Sequence, residues 1–138
     1  MAKRILILCT GNSCRSQMAE GYLRHFAAAK AQVYSAGIET HGVNKTAIDV
    51  MQEDGLDISM HTCNNATEYQ HLHFDFVLTV CDHAREQCPL WISTVPQIHA
   101  SFPDPARATG SPQEIINQFR VVRDAIKNYC RQFVLDYL

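Results

Sequence analysis

From residue 3 to residue 8 the chain reads K-R-I-L-I-L, and no polar residue interrupts it after Arg4. An unbroken apolar run of this length suits a strand covered on both faces, as in the middle of a parallel sheet. A helical pattern follows. Over residues 15–29, Met18, Tyr22 and Phe26 fall on one stripe, flanked by Ala19, Leu23 and Ala27. Residues 32–36, ending at Gly37, read as a second strand, residues 74–80 as a third and residues 95–100 as a fourth. Asn44 is placed to cap a helix through Ala47, Ile48 and Met51 that stops at Gly55. Ser111, Pro112 and Glu114 open a last helix, with apolar residues at Ile115, Phe119, Val122, Ile126, Tyr129, Phe133 and Tyr137. Strands alternating with helices predict one α/β domain over residues 1–138. Its core is an open, twisted, four-stranded parallel sheet flanked by helices on both faces. Ligands of such sheets sit at the carboxyl ends of the strands, and Cys9 stands at the end of the first.

Composition narrows the partners. The apolar fraction of 46% supplies a core, and a net charge of −2 argues against nucleic acid or a membrane surface as the main partner. No apolar run approaches a membrane span. The opening M-A-K-R-I-L-I-L-C fails as a secretion signal, because the run ends at Cys9 without a small-residue cleavage site. A cytoplasmic monomer is expected. The six cysteines then read as reduced, reactive or core thiols rather than a disulfide framework.

Two of them sit in the turn between the first strand and the first helix. There Cys9, Thr10, Gly11, Asn12, Ser13 and Cys14 lead to Arg15 and Ser16. Gly11 and Asn12 tolerate positive φ, which lets successive backbone N–H groups turn inward. Such a nest, backed by a helix N-terminus, receives a tetrahedral oxyanion. Arg15 adds a fork for two anion oxygens. The same donors favour a thiolate, with cysteine pKa values in such places lowered to roughly 3.5–7.5. Cys9 is therefore the candidate nucleophile, and Ser16 a candidate donor to its sulfur.

The string C-T-G-N-S-C-R-S-Q-M-A-E-G resembles the low-molecular-weight protein tyrosine phosphatase superfamily and, within it, the thioredoxin-coupled arsenate reductases. The likeness extends to Y-S-A-G-I-E-T-H-G (34–42), to T-V-C-D-H-A-R-E-Q-C-P, which carries Cys81 and Cys88, and to F-P-D-P-A (102–106). It implies the low-molecular-weight phosphatase fold and an arsenate reductase of arsenic detoxification, with a weak phosphatase side activity. Cys9 would attack arsenate and Asp104 would act as general acid. Cys81 and then Cys88 would pass the oxidation along as disulfides, and thioredoxin would supply the electrons. Phosphate or sulfate would fit the same loop. The charged segment Asp82, Arg85, Glu86 and Gln87 suits a short solvated helix able to unravel during this relay. Ala106 and Arg107 follow Asp104-Pro105 where a phosphatase places aromatic residues, and this basic edge favours a small inorganic oxyanion.

The resemblance also implies a potassium position at Asn12, Glu20 and Ser35. The fourth matching position is Asn64 rather than an aspartate, and the bland alternative is that these residues brace the loop by hydrogen bonds. No tightly bound cofactor is expected. Cys14 and Cys130 read as packing residues. Cys63, among His61, His71 and His73, matches no common zinc spacing and reads as part of a polar surface loop. Two other functions compete: a low-molecular-weight tyrosine phosphatase, and a non-enzymatic oxyanion or metal sensor. The first leaves Cys81 and Cys88 without a task, and the second lacks a recognition helix.

Overall fold

The computed structural model describes residues 2–92 and 94–138. Strand β1 (Lys3–Cys9) lies between β2 (Ala31–Gly37) and β3 (Phe76–Thr79), and β4 (Gln97–His99) forms the far edge. The order is β2-β1-β3-β4 and every pair is parallel. Ile5, Leu6, Ile7 and Leu8 are all 0% exposed. Successive strand residues face opposite sides, so both faces of the sheet are covered. Pairing of Cys9 with Gly37, Leu8 with Thr79, and Thr79 with His99 brings the four carboxyl ends to one level.

Two strands are shorter than their apolar runs. Phe74 is buried against Tyr34 and Trp91, with ring centroids 5.6 and 6.5 Å away. Asp75 turns its Oδ2 onto the Arg4 amide at 2.8 Å, so both residues lie outside the β3 segment. Val95 is held in a turn by its bond to Ile92 O at 3.1 Å, and Pro96 has no N–H to give, which delays β4 to Gln97.

The helices are α1 (Arg15–Ala27), α2 (Lys45–Glu53), α3 (Asp82–Glu86) and α4 (Pro112–Tyr137). Helix α1 ends two residues earlier than its apolar spacing predicts. Ala28 adopts φ 48°, where the helical ladder cannot continue, and a single 3-10 turn (Ala28–Lys30) leads into β2. Asn44 caps α2 by accepting from Ala47 N–H at 3.1 Å, and Gly55 takes φ 84° just beyond it. Ser111 and Glu114 exchange side-chain and backbone bonds at the start of α4. Cys130 is fully buried there, its thiol 3.8 Å from the Ala19 carbonyl of α1. Tyr22 Oη donates to Asp54 at 2.7 Å, and Lys127 Nζ lies 2.9 Å from the same carboxylate, tying α1, α2 and α4 together. No helix among the described residues is long and apolar enough to cross a membrane.

Candidate active site

The loop from Cys9 to Arg15 is shaped by what holds its carbonyls. Cys9 O accepts from Ile38 N–H, Thr10 O from Glu39, Gly11 O from His41, Ser13 O from Asn44 and Cys14 O from Met18, at 2.8–3.1 Å. Asn12 O accepts from Gln17 Nε2 at 3.0 Å. Every carbonyl from Cys9 to Cys14 is thus turned outward, an arrangement that turns the intervening amides inward. Asn12 takes positive φ, 51°, as its sequence position suggests. Gly11 does not. A Cβ on Gly11 would stand 2.5 Å from Nδ1 of His41, so close approach of that ring, rather than backbone conformation, demands glycine.

Beneath the loop, Asn12 Nδ2 donates to Ser16 Oγ at 2.9 Å and to Ser35 Oγ at 3.0 Å, while its Oδ1 accepts from Asn64 N–H at 2.8 Å. Ser16 was expected to donate to the Cys9 sulfur. Its oxygen instead accepts from Asn12, it is fully buried, and no bond joins it to the Cys9 sulfur among the described residues. Ser35 Oγ donates to Glu20 Oε1 at 2.5 Å, and Glu20 Oε2 lies 3.0 Å from Arg24 Nε and 3.5 Å from His61 Nε2. Asn64 gives its side-chain amide to Glu68. These residues do not fit a potassium ion. Their oxygens are engaged with one another, and the one carboxylate already pairs with the Arg24 guanidinium. Asn12 and Ser35 brace the loop.

Above the loop lies a cavity of about 580 Å³, lined by Cys9, Cys14, Arg15, Cys81, Asp104 and Arg107 among others. Arg15 Nη1 donates to Phe102 O at 3.0 Å, and its Nη2 lies 3.7 Å from Asp104 Oδ2. Asp104 Oδ1 accepts from Ala106 N–H at 3.0 Å, capping the turn that begins with Pro105. Cys81 caps α3. Its sulfur accepts from Ala84 N–H at 3.4 Å and lies 3.2 Å from Thr10 Oγ1.

Cys9 and Cys81 line the cavity together, and each acts on the other's ionisation. The neighbouring Cys81 and burial push the Cys9 thiol up, while Arg15 and the Thr10 amide pull it down. Cys9, with help from Thr10 and the Ala84 amide, brings Cys81 down to about 5. Cys14 is buried at the cavity wall, and burial pushes it up to about 11.

Cys88 is not brought to the cavity. It lies beyond α3, where its sulfur accepts from Gln97 Nε2 at 3.4 Å. Cys63 departs from the reading as surface loop. Its thiol donates to Gly11 O at 3.3 Å and accepts from Gly42 N–H at 3.3 Å, so it buttresses the anion loop. No group of three or more metal-ligating side chains suited to an ion occurs among the described residues. Sequence reasoning passed over His41, Asp82 and His83, which also line the cavity. His41 shows itself only in the structure, where Gly11 faces its ring without adopting positive φ.

A family model described as low molecular weight phosphotyrosine protein phosphatase matches residues 4–137. The chain belongs to that family. Its curated relatives include an arsenate reductase of Halalkalibacterium halodurans, 45% identical over 131 residues, covering 95% of this chain and 94% of the relative. Another is the arsenate reductase of Bacillus subtilis (strain 168), 44% identical over 131 residues with the same two coverages. Among solved structures, an arsenate reductase in the phosphate binding state superposes with a TM-score of 0.81 at 31% identity, covering 99% of both chains.

Proposed function

We propose that this chain reduces arsenate to arsenite through a thiol relay, drawing its electrons from thioredoxin. The observation that carries the reading is the second thiol at the anion loop: Cys81 lines the same cavity as Cys9, its sulfur 3.2 Å from Oγ1 of Thr10, the residue after Cys9. A phosphatase has no use for it. The arsenate reductases at 44–45% identity support the same reading.

Arsenate sits in the cradle of loop amides with the Arg15 fork on two of its oxygens. Cys9 passes its proton to the neighbouring Cys81 sulfur and attacks arsenic. Asp104 protonates the departing oxygen, which leaves as water. Cys81, with its lowered pKa, gives the proton to solvent and attacks the Cys9 sulfur. The sulfur–arsenic bond breaks with its electron pair on arsenic, arsenite departs, and a Cys9–Cys81 disulfide remains. Cys88 then attacks Cys81, freeing Cys9 as a thiolate, and the thioredoxin dithiol reduces the Cys81–Cys88 disulfide. Potassium has no part in this sequence, and aryl phosphate hydrolysis is a slow side reaction of the same cradle.

The test is arsenate turnover with and without a thioredoxin system, beside aryl phosphate hydrolysis by the same protein. Thioredoxin-dependent arsenite release far above phosphatase turnover is expected. Phosphatase turnover alone would return the chain to the hydrolases.

A further inference from the structure

Strand β4 ends on His99, whose ring bridges two residues on either side of Cys81. Nδ1 lies 2.6 Å from Thr79 Oγ1, and Nε2 lies 2.9 Å from Asp82 Oδ1. Thr79 is the buried last residue of β3, and Asp82 is the first residue of α3. Backbone bonds run alongside, from Ala100 N–H to Thr79 O at 2.9 Å and from Phe102 N–H to Val80 O at 3.2 Å. The imidazole therefore closes a clamp across the short stretch that aims the Cys81 sulfur at Thr10, into the cavity that Cys9 also lines.

That stretch has to move. A chain that keeps helical rise over the seven steps from Cys81 to Cys88 separates them by about 10 Å, beyond the roughly 7 Å a disulfide allows. The two sulfurs also face different partners, Thr10 and Ala84 for Cys81 and Gln97 for Cys88. A helix of five residues has little stability of its own. What fastens its first turn from outside sets how readily it unwinds.

We propose that His99 is a positioning residue of the thiol relay. It holds the first turn of α3 so that Cys81 meets Cys9, and its bond to Asp82 is the tether that breaks when Cys81 turns to Cys88. The inference rests on the relay proposed above. It predicts opposite effects on two successive steps, a signature that loss of packing does not produce.

The experiment uses two backgrounds. In Cys9→Ser protein, the Cys81–Cys88 pair is equilibrated with mixtures of reduced and oxidised glutathione and read by thiol trapping and mass. The two thiols become one disulfide as one oxidised glutathione becomes two reduced. His99→Asn keeps an amide for Thr79 but is too short for Asp82, and it is expected to raise the equilibrium constant roughly fivefold. Asp82→Ala should raise it by the same factor, with the double variant no higher than either single one. His99→Gln, which reaches Asp82, should return it towards the parent value. In Cys88→Ser protein, His99→Asn should slow formation of the Cys9–Cys81 disulfide several-fold after one arsenate turnover. An unchanged constant, shifts that add in the double variant, or a lowered melting temperature with neither step altered would each overturn the clamp. Failure of the parent pair to form any disulfide would overturn the relay, and the clamp with it.

Discussion

Arg15 donates through Nη1 to the carbonyl oxygen of Phe102 at 3.0 Å, while its Nη2 lies 3.7 Å from the carboxylate of Asp104. One guanidinium thus ties the end of the anion loop that carries it to the loop that carries the acid. Arg15→Lys keeps the charge and loses the fork that spans these contacts. Oxyanion affinity is expected to fall by more than tenfold, with the fold intact, in calorimetric titration with sulfate or arsenate. An unchanged affinity would mean that the fork does not meet the anion.

Cys88→Ser removes the thiol that stands away from the cavity. One equivalent of arsenite should be released, after which the protein stalls with Cys9 joined to Cys81. Peptide mapping after arsenate reads the linkage. Sustained thioredoxin-driven turnover would remove Cys88 from the relay.

Gly11 faces the His41 ring too closely for a Cβ, but that ring is half exposed and can be displaced if it gives up its contact with Glu39. Gly11→Ala should therefore fold and yet bind oxyanions at least tenfold more weakly, because the displaced ring strains the loop. Adding His41→Ala should recover most of the affinity. No recovery would place the penalty in the backbone.

Asp54 is held below the usual carboxylate range, first by Lys127 and then by the Tyr22 hydroxyl. A carboxylate whose folded pKa is depressed stabilises the fold above its unfolded pKa of about 3.9, and the stabilisation is lost as pH falls through the lower folded value. Asp54→Asn is expected to cost about 1 kcal/mol at pH 7, a figure discounted for solvent screening. The difference from wild type should shrink below pH ~4. Melting curves at pH 7 and pH 3 measure it, and an equal difference at both would point to packing rather than charge.

The single tryptophan, Trp91, follows Cys88 by three residues and rests against Phe74, with its indole N–H buried and without a partner among the described residues. Closing the Cys81–Cys88 disulfide should draw this segment and shift the indole towards solvent. Emission should change when arsenate is added to reduced protein and return on thioredoxin reduction. Identical spectra in both states, with thiols counted, would make Trp91 a fixed core residue.

The sheet, the helix starts and the anion loop were legible because they are local. The unbroken run from Ile5, the Asn44 cap and the Ser111–Glu114 pair each declare themselves within a few residues. What could not be read depends on contacts across the chain. Cys81 is lowered because Cys9 and Thr10, at the end of the neighbouring strand, reach it. Cys63 lies far along the chain from the Gly11 carbonyl that it supports. Ser16 is drawn to Asn12, whose own orientation is set by Asn64. In each case the residue type was noticed and its partner was not, since side-chain partners come from tertiary packing rather than from spacing.

The outward carbonyls of the anion loop have a consequence for how such proteins diverge. Five of the six bonds that shape the cradle run from backbone to backbone, so most of its form does not depend on which side chains line the neighbouring segment. Such a socket for a tetrahedral anion leaves the flanking side chains free to vary, and what stands beside it sets the chemistry. A thiol at the end of the adjacent strand, on a helix short enough to come undone, is a small change of inventory with a large change of trade.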